Sequence, residues 1–288
     1  VYLSGEIHAN WRNEIIDKCK SKNLEIEFSS PTTNHELSDD VGVKILGNEE
    51  NKFWHDNKGA KINAIRTRNA IEKADIVVPS VGSAEQMDWL HDGDLAYLSN
   101  SGMQRISSKD GARSSIASGF YGYGMITGPD GMVYVADYSK IIKIDPDTGA
   151  QETFVGGFPG SKSPKVVNFS PDYSIMYIGT ISGDGVIYGL DLDENLEPVG
   201  NYYEFTTGTG GWHDGLGVDA CGNLYINDYD RSRLNRISPE GDVEVLYQFS
   251  YTAYGHGLTW GNGIGPWQAD HVYLPQPYNG NKVVEIDI

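Results

Sequence analysis

Five side chains occupy the same position in five similar sequence units, and their chemistry is the first guide to function. They are Glu85, Tyr123, Lys165, Asp214 and His256, and we call them the inner ring. Each stands at the start of the apolar segment that opens its unit, so we expect them to converge if the units pack around one axis. Carboxylate, ammonium and imidazole groups in one place could form ion pairs, hold a polar ligand or move a proton.

Three members of the inner ring, Lys165, Asp214 and His256, and the neighbouring His213 suggest specific chemistry. Lys165 and Asp214 could form an ion pair across the centre, which would neutralise the site. His213 and His256 are candidate general bases because a neutral imidazole accepts a proton near neutral pH, although lone histidines are more often hydrogen-bonded structural residues. Polar residues that merely line a water-filled channel are the structural alternative to a small-ligand site.

The units that carry the inner ring recur roughly every 40 residues, which is the period of propeller blades. Each is an apolar strand, a turn rich in Asp and Gly, and a second strand that contains Tyr, so each predicts a β-hairpin. We therefore expect five visible blades between residues 79 and 288. The units are EQMDWLHDGDLAYLS (85–99), YGMITGPDGMVYVAD (123–137), KVVNFSPDYSIMYIGT (165–180), DGLGVDACGNLYIND (214–228) and HGLTWGNG (256–263).

A sharp change in composition falls at residue 78. The first 78 residues hold 4 of the 35 glycines and have 11 Lys and Arg against 13 Asp and Glu, a net charge of −2. The remaining residues hold 31 glycines and have 11 Lys and Arg against 27 Asp and Glu, a net charge of −16. We interpret 1–78 and 79–288 as two different domains.

The first 78 residues show a pattern of alternating strands and helices. Predicted strands lie at 1–5, 24–28 and 75–78, and predicted helices lie at 14–22 and 51–74. Apolar residues recur every three or four positions in the helices and every second position in the middle strand. This order predicts the beginning of a doubly wound, Rossmann-like α/β fold.

Composition excludes some classes of partner. A formal net charge of −18 argues against nucleic acid, which proteins bind through Lys and Arg. No segment approaches 18 consecutive apolar residues, so we expect no membrane span. The sequence contains no P-loop, GxSxG, CxxC or HExxH motif that would indicate a nucleotide, serine-hydrolase, redox or zinc site. We expect a monomer.

Three segments of the first domain, VYLSGEIHANWR, DDVGVKILG and NKFWHDNKGAKINAIRTRNAIEKADIVV, resemble the first half of the YtoQ family, which is similar to nucleoside 2-deoxyribosyltransferases. The resemblance implies a nucleoside-facing loop at Tyr2, Ser4 and Gly5, and a substrate-positioning carboxylate at Asp75. The stretch that would supply the family's catalytic carboxylate is replaced from Pro79 onward. Ser4 and Gly5 could equally form a simple turn, and Asp75 could end a helix.

The later segments PDGMVYVADYSKIIKIDPDTG, NFSPDYSIMYIGT and WHDGLGVDACGNLYINDY resemble the senescence marker protein/gluconolactonase/luciferin-regenerating-enzyme family of six-bladed propellers. The resemblance implies a divalent cation, such as calcium, held by a Glu, two Asn-type ligands and an Asp. Only the Asp is retained, as Asp214. The Asn positions are Tyr123 and Lys165, and the blade that would supply the Glu is absent, so we expect no cofactor.

The chain is thus interpreted as a fusion of a truncated α/β segment and a propeller. The leading interpretation is a non-enzymatic binding module whose ligand the sequence does not reveal; small molecules and carbohydrate-like compounds are the candidate classes of ligand. The alternative is a metal-dependent lactone or ester hydrolase that uses Asp214, and the third is a nucleoside-processing activity of the first domain. By resemblance, the propeller belongs to a secreted or periplasmic subgroup and the first domain to a cytoplasmic family.

Overall fold

The computed structural model of this chain describes residues 1–4, 10–30, 35–48, 52, 55, 58, 62–63, 77–79, 86–160, 162–250, 253–261, 268–279 and 282–288. The chain divides into two compact units. The first contains Val1–Ser83 and Ile106–Arg113, and the second contains Ala84–Arg105 and Ser114–Ile288.

The described part of the first unit contains a short parallel sheet and two helices. Strand β1 (Tyr2–Ser4) pairs in parallel with strand β2 (Val77–Pro79), and the helices are α1 (Trp11–Ser21) and α2 (His35–Leu46). The first and last strands of this segment are therefore neighbours, as a doubly wound order favours. None of the helices in the described residues is long and apolar enough to cross a membrane.

Other elements of the first unit differ from the prediction. Residues 24–28 form no strand, and this region contributes a single bridge between Ser29 and Tyr2. Leu24 and Ile26 are exposed, so their alternation with polar residues has no sheet face to bury. The predicted helix at 51–74 lies mostly outside the described residues, although positions 52, 55, 58, 62 and 63 are helical. A complete doubly wound fold remains a prediction.

The second unit is a β-propeller, as predicted, and five blades lie within the described residues. Each blade is a meander of antiparallel strands, with four strands in blades 1 to 4 and three in blade 5. Blade 1 is β3 (Met87–Trp89), β4 (Leu95–Ser99), β5 (Gly102–Ile106) and β6 (Arg113–Ser118). Blade 2 is β7 (Gly122–Thr127), β8 (Val133–Asp137), β9 (Lys140–Ile144) and β10 (Gln151–Gly156). Blade 3 is β11 (Ser163–Phe169), β12 (Ile175–Ile181), β13 (Ile187–Asp191) and β14 (Tyr203–Thr206). Blade 4 is β15 (His213–Val218), β16 (Leu224–Asp228), β17 (Arg233–Ile237) and β18 (Val243–Gln248). Blade 5 is β19 (Thr259–Trp260), β20 (His271–Gln276) and β21 (Lys282–Asp287).

Apolar side chains fill the wedges between consecutive blades. Four clusters of buried residues each draw on two neighbouring blades. Between blades 2 and 3, for example, the ring of Tyr134 packs edge-on against Phe169 at 5.3 Å between centroids. Burying one large apolar side chain contributes about 1.5–3 kcal/mol, so a blade depends on its neighbours for most of its stability.

The first strand of each blade lies innermost, because β3, β7, β11, β15 and β19 contact one another in that order. Gly124 and Gly215 allow this close approach. A Cβ atom on Gly124 would meet the backbone of Lys165 and Val166, and one on Gly215 would meet the backbone of Gly257. The inner strands therefore place the starts of successive blades side by side.

Candidate functional site

A β-bulge aims each of three inner-ring residues. The pairing of β7 with β8 skips Tyr123, that of β11 with β12 skips Lys165, and that of β15 with β16 skips Asp214. Each is the extra residue of a bulge, which locally twists the strand and re-aims the side chain. Equivalent bulges in three consecutive blades thus present three side chains at the same level of the propeller.

The structure brings Lys165, Asp214 and His256 into direct contact. Lys165 Nζ lies 3.4 Å from Asp214 Oδ1, and His256 Nδ1 lies 2.7 Å from Asp214 Oδ2. The side chains of Lys165 and Asp214 are 4% and 10% exposed, and that of His256 is 35% exposed. Both carboxylate oxygens are therefore occupied by nitrogen groups in a largely buried setting.

Aromatic rings surround this Lys165–Asp214–His256 cluster. Lys165 Nζ lies 4.1 Å from the centre of the Tyr123 ring and 5.6 Å from that of Trp212. Both distances lie within the range of cation–π attraction. The His256 ring packs against Tyr229 at 5.0 Å and against Tyr278 at 5.4 Å. The cluster thus combines charged groups with flat apolar faces.

Two cavities adjoin the cluster. His256 lines the central channel, a space of about 490 Å³ that also contacts apolar residues of every blade's inner strand. Tyr123 lines a second cavity of about 550 Å³, which is bordered by Tyr138, Asp230 and Arg231. A small molecule in the channel would meet His256 directly, whereas one in the second cavity would meet Tyr123, whose ring packs on Lys165. The apolar lining includes Met87, Met125, Val167, Leu216 and Trp260 on the five inner strands, together with Leu258 just before β19.

His213 does not join the cluster, although it adjoins Asp214 in sequence. Its ring is fully buried, and its Nδ1 accepts a hydrogen bond from the Thr180 amide at 2.9 Å. Its Nε2 therefore carries the hydrogen and donates to Thr209 Oγ1 at 2.8 Å. Burial lowers the pKa of His213 to about 3. Both ring nitrogens are hydrogen-bonded within the protein, so His213 has a structural role in the fold rather than a free nitrogen for catalysis.

The remaining candidate residues belong to other regions. Glu85, Gly5 and Asp75 lie outside the described residues. Tyr2 is buried in the first unit, and Ser4 lies in strand β1. The proposed nucleoside-facing loop and the Glu85 position of the inner ring therefore stay predictions.

The residues near Asp214 do not fit a divalent cation. Ca²⁺ takes six to eight oxygen ligands in proteins, whereas the nearest groups to the Asp214 carboxylate are an ammonium and an imidazole. Nor does the described part of the chain bring together three His, Cys, Asp or Glu side chains that could hold a metal. Calcium therefore has no supporting ligand set here.

The sequence alignment does not identify two aromatic members of the site, Tyr229 and Tyr278. Tyr229 follows the inner hairpin of blade 4, and Tyr278 follows strand β20 in blade 5. Neither occupies the aligned inner-ring position. A recurring tyrosine could have revealed them from the sequence. Tyr138 directly follows the second strand of blade 2, as Tyr229 follows that of blade 4.

Comparison with known families divides the chain into two stretches. Residues 2–112 match the family model described as nucleoside 2-deoxyribosyltransferase YtoQ, so this match extends well past residue 78. Residues 135–255 match the model described as the SMP-30/gluconolactonase/LRE-like region. The chain therefore carries a YtoQ-like segment and a gluconolactonase-like propeller.

Two curated relatives show the same division. The uncharacterized protein YtoQ of Bacillus subtilis is 42% identical over 97 residues, which are 34% of this chain and 65% of that protein. The 6-deoxy-6-sulfogluconolactonase of Pseudomonas putida is 35% identical over 77 residues, 26% of each. The chain spans less than two thirds of the length of either relative.

Solved structures share the propeller fold. A gluconolactonase from Xanthomonas campestris gives a TM-score of 0.56 at 13% identity, covering 70% of both chains. Regucalcin from Agrobacterium tumefaciens, a calcium-binding protein, gives 0.56 at 16% identity, covering 70% of this chain and 75% of the other. An auxiliary nutrient binding protein from Bacteroides thetaiotaomicron gives 0.57 at 11% identity, covering 73% and 61%. At these identities the similarity concerns the fold alone.

Proposed function

We propose that the propeller is a binding module for a small, uncharged, polyhydroxylated molecule such as a sugar or sugar lactone. The observation that carries this proposal is the Lys165–Asp214–His256 cluster with its surrounding aromatic rings. Carboxylate, ammonium and imidazole groups supply acceptors and donors for hydroxyl groups. The faces of Tyr123 and Tyr278 supply flat apolar surface, as pockets for small molecules usually do.

The charge of the site favours a neutral ligand. The ammonium of Lys165 balances the carboxylate of Asp214, and Arg231 stands beside Asp230 at the second cavity. The chain as a whole has a formal net charge of −18, and such a field opposes the approach of anions. The match to the gluconolactonase-like family model and the 35% identity to a sulfogluconolactonase over 77 residues support a sugar-derived ligand. The sulfogluconolactonase relative makes an acidic sugar the competing outcome.

Isothermal titration calorimetry with neutral aldoses, aldonolactones and the corresponding aldonates tests this proposal. We expect neutral compounds to bind and aldonates to bind at least about tenfold more weakly. Tyr278→Ala should weaken binding by about tenfold, because it removes an exposed ring next to His256. Tyr247→Ala is the matched control, since Tyr247 is an exposed tyrosine on the outer strand β18. Absence of binding to every neutral compound, or a preference for aldonates, would overturn the proposal.

Hydrolysis of a lactone or ester by the same site is the second candidate. His256 Nδ1 lies 2.7 Å from Asp214 Oδ2. His256 Nε2 is a buried atom with no hydrogen-bond partner in the described part of the chain, so only a water and a ligand admitted beside the ring could reach it. This nitrogen could take a proton from water as the water oxygen adds to the carbonyl carbon. The ring C–O bond would then break, and the departing oxygen would receive that proton. Acid release from aldonolactones measures the activity, and His256→Gln should abolish turnover while binding persists.

A further inference from the structure

We infer that Asp214, Tyr123 and Trp212 form a cation cage whose permanent occupant is the ammonium group of Lys165. In this arrangement the chain itself supplies the positive charge at the centre of the site. A divalent metal is then neither needed nor accommodated, and ligand binding is independent of metal. This last consequence rests on the proposed binding function, whereas the cage itself does not.

Three contacts, one ion pair and two cation–π contacts, define the cage. Lys165 Nζ faces the Asp214 carboxylate at 3.4 Å, the Tyr123 ring at 4.1 Å and the Trp212 ring at 5.6 Å. An ammonium is attracted to the negative face of an aromatic ring, and this attraction grows when water is excluded. The Lys165 side chain is 4% exposed, so its charge depends on these groups rather than on water.

The backbone fixes the cage from three blades. Tyr123, Lys165 and Asp214 are the extra residues of bulges on β7, β11 and β15. Trp212 lies two residues before Asp214 and is held by a bridge to Ile181 at the end of β12. Because three members are fixed by their own strands and Trp212 by this bridge, the cage exists independently of any ligand.

The groups around the cage select an ammonium over a divalent ion. Aromatic faces offer no lone pairs to a metal, which needs several oxygen ligands to replace its water. The second oxygen of Asp214 is held by His256 Nδ1 at 2.7 Å. The cage therefore offers one carboxylate, which also contacts His256, and two aromatic faces. Proteins bind alkylammonium ligands in aromatic cages of this kind.

Chemical rescue of a truncated lysine tests the cage without any sugar ligand. Lys165→Ala removes the chain from Cγ to Nζ, which n-propylammonium matches in length and charge. We expect about 10 mM n-propylammonium to raise the Tm of this variant by about 3 °C. Calcium and the uncharged analogue 1-propanol should each produce less than a third of that shift. Wild type and Lys162→Ala should not respond to n-propylammonium, since Lys162 pairs with Glu204 on the surface.

Several outcomes would overturn the inference. Rescue by 1-propanol as strong as that by n-propylammonium would show that the site is an apolar cavity. Rescue by calcium alone, or a calcium-dependent rise in the Tm of wild type, would show a metal site. If Lys165→Ala does not fold, calcium titrations of wild type and of Lys165→Met replace the rescue experiment. Calcium binding by wild type would then contradict the inference. A sugar affinity that falls more than tenfold with a chelator would also contradict it, whereas absence of any sugar binding would count only against the proposed function.

Discussion

Asp214 is tied to the segment at His256 through both its side chain and its backbone. In the side-chain contact, His256 Nδ1 lies 2.7 Å from Asp214 Oδ2. In the backbone contact, the amide of Gly257 donates a hydrogen bond to the Asp214 carbonyl oxygen at 2.7 Å. The side-chain contact is an ion pair when the imidazole is protonated, and the backbone hydrogen bond holds the two segments together in either state. Blades 4 and 5 thus meet at a residue that also neutralises Lys165.

This arrangement predicts that Asp214→Asn is strongly destabilising. The substitution keeps the shape of the side chain but leaves the buried Lys165 ammonium without its counter-charge, which typically costs about 3–5 kcal/mol. Urea denaturation followed by tryptophan fluorescence measures the free energy of unfolding. Lys165→Met should relieve much of this loss in the double variant, because it removes the uncompensated charge.

The surface pair Lys162–Glu204 is the control for that double-mutant cycle. Its two charged atoms lie 2.7 Å apart on side chains that are 24% and 52% exposed, so the same cycle there should give a coupling below about 1 kcal/mol. A coupling between Lys165 and Asp214 no larger than this would contradict the buried ion pair.

His213 predicts an acid-sensitive fold. Burial lowers the pKa of His213 from 6.5 to about 3, whereas in the unfolded chain the histidine has its ordinary pKa. Between these values the unfolded state binds more protons, so the free energy of unfolding rises with pH. The contribution of His213 is fully present above about pH 6.5 and is lost progressively as the pH falls toward 3.

His213→Gln should therefore flatten the acid limb of the stability profile. Glutamine can accept from the Thr180 amide and donate to Thr209, but it does not titrate. Between about pH 7.5 and pH 4.5 the Tm of wild type should fall, whereas the Tm of His213→Gln should change much less. His91→Gln is the control, because His91 is exposed in a turn. Equal slopes for wild type and His213→Gln would refute the prediction.

The spacing of the inner strands predicts a further sensitivity, at Gly215. A Cβ atom there would collide with the backbone of Gly257 and Leu258, so Gly215→Ala must push β15 away from the segment that leads into β19. We expect a loss of about 1–3 kcal/mol in unfolding free energy. Gly183→Ala, where a Cβ meets nothing within 4 Å, should be close to neutral. Equal stability of the two variants, measured by urea denaturation, would show that the inner strands are not in tight contact.

The sequence predicts the five blades and the meeting of Lys165, Asp214 and His256, because repeats of one unit place equivalent residues at equivalent points. It does not reveal the bulges, since one extra residue per strand leaves the apolar pattern of the following residues intact. Neither does it separate His213 from Asp214, although adjacent residues on a strand face opposite sides of the sheet. The strand expected at 24–28 fails because alternation indicates a strand only where a sheet is available to pair with it.

Tyr138 predicts a trade-off between stability and ligand binding. It occupies the tight turn between β8 and β9 with a φ of 27°, a conformation that costs free energy for a bulky residue. Its ring lies 5.5 Å from that of Tyr123 and borders the second cavity. Asparagine adopts positive φ more readily, so Tyr138→Asn should raise the unfolding free energy by about 0.5–1 kcal/mol. The same change should weaken sugar binding several-fold, because it removes an aromatic face.

Tyr173→Asn is the matched control for Tyr138→Asn. Tyr173 is an exposed tyrosine with a φ of 61° in the turn between β11 and β12, and its ring packs against Phe169. It should be stabilised similarly, with unchanged affinity by calorimetry. If Tyr138→Asn binds sugar as wild type does, the aromatic face of Tyr138 is not part of the binding site.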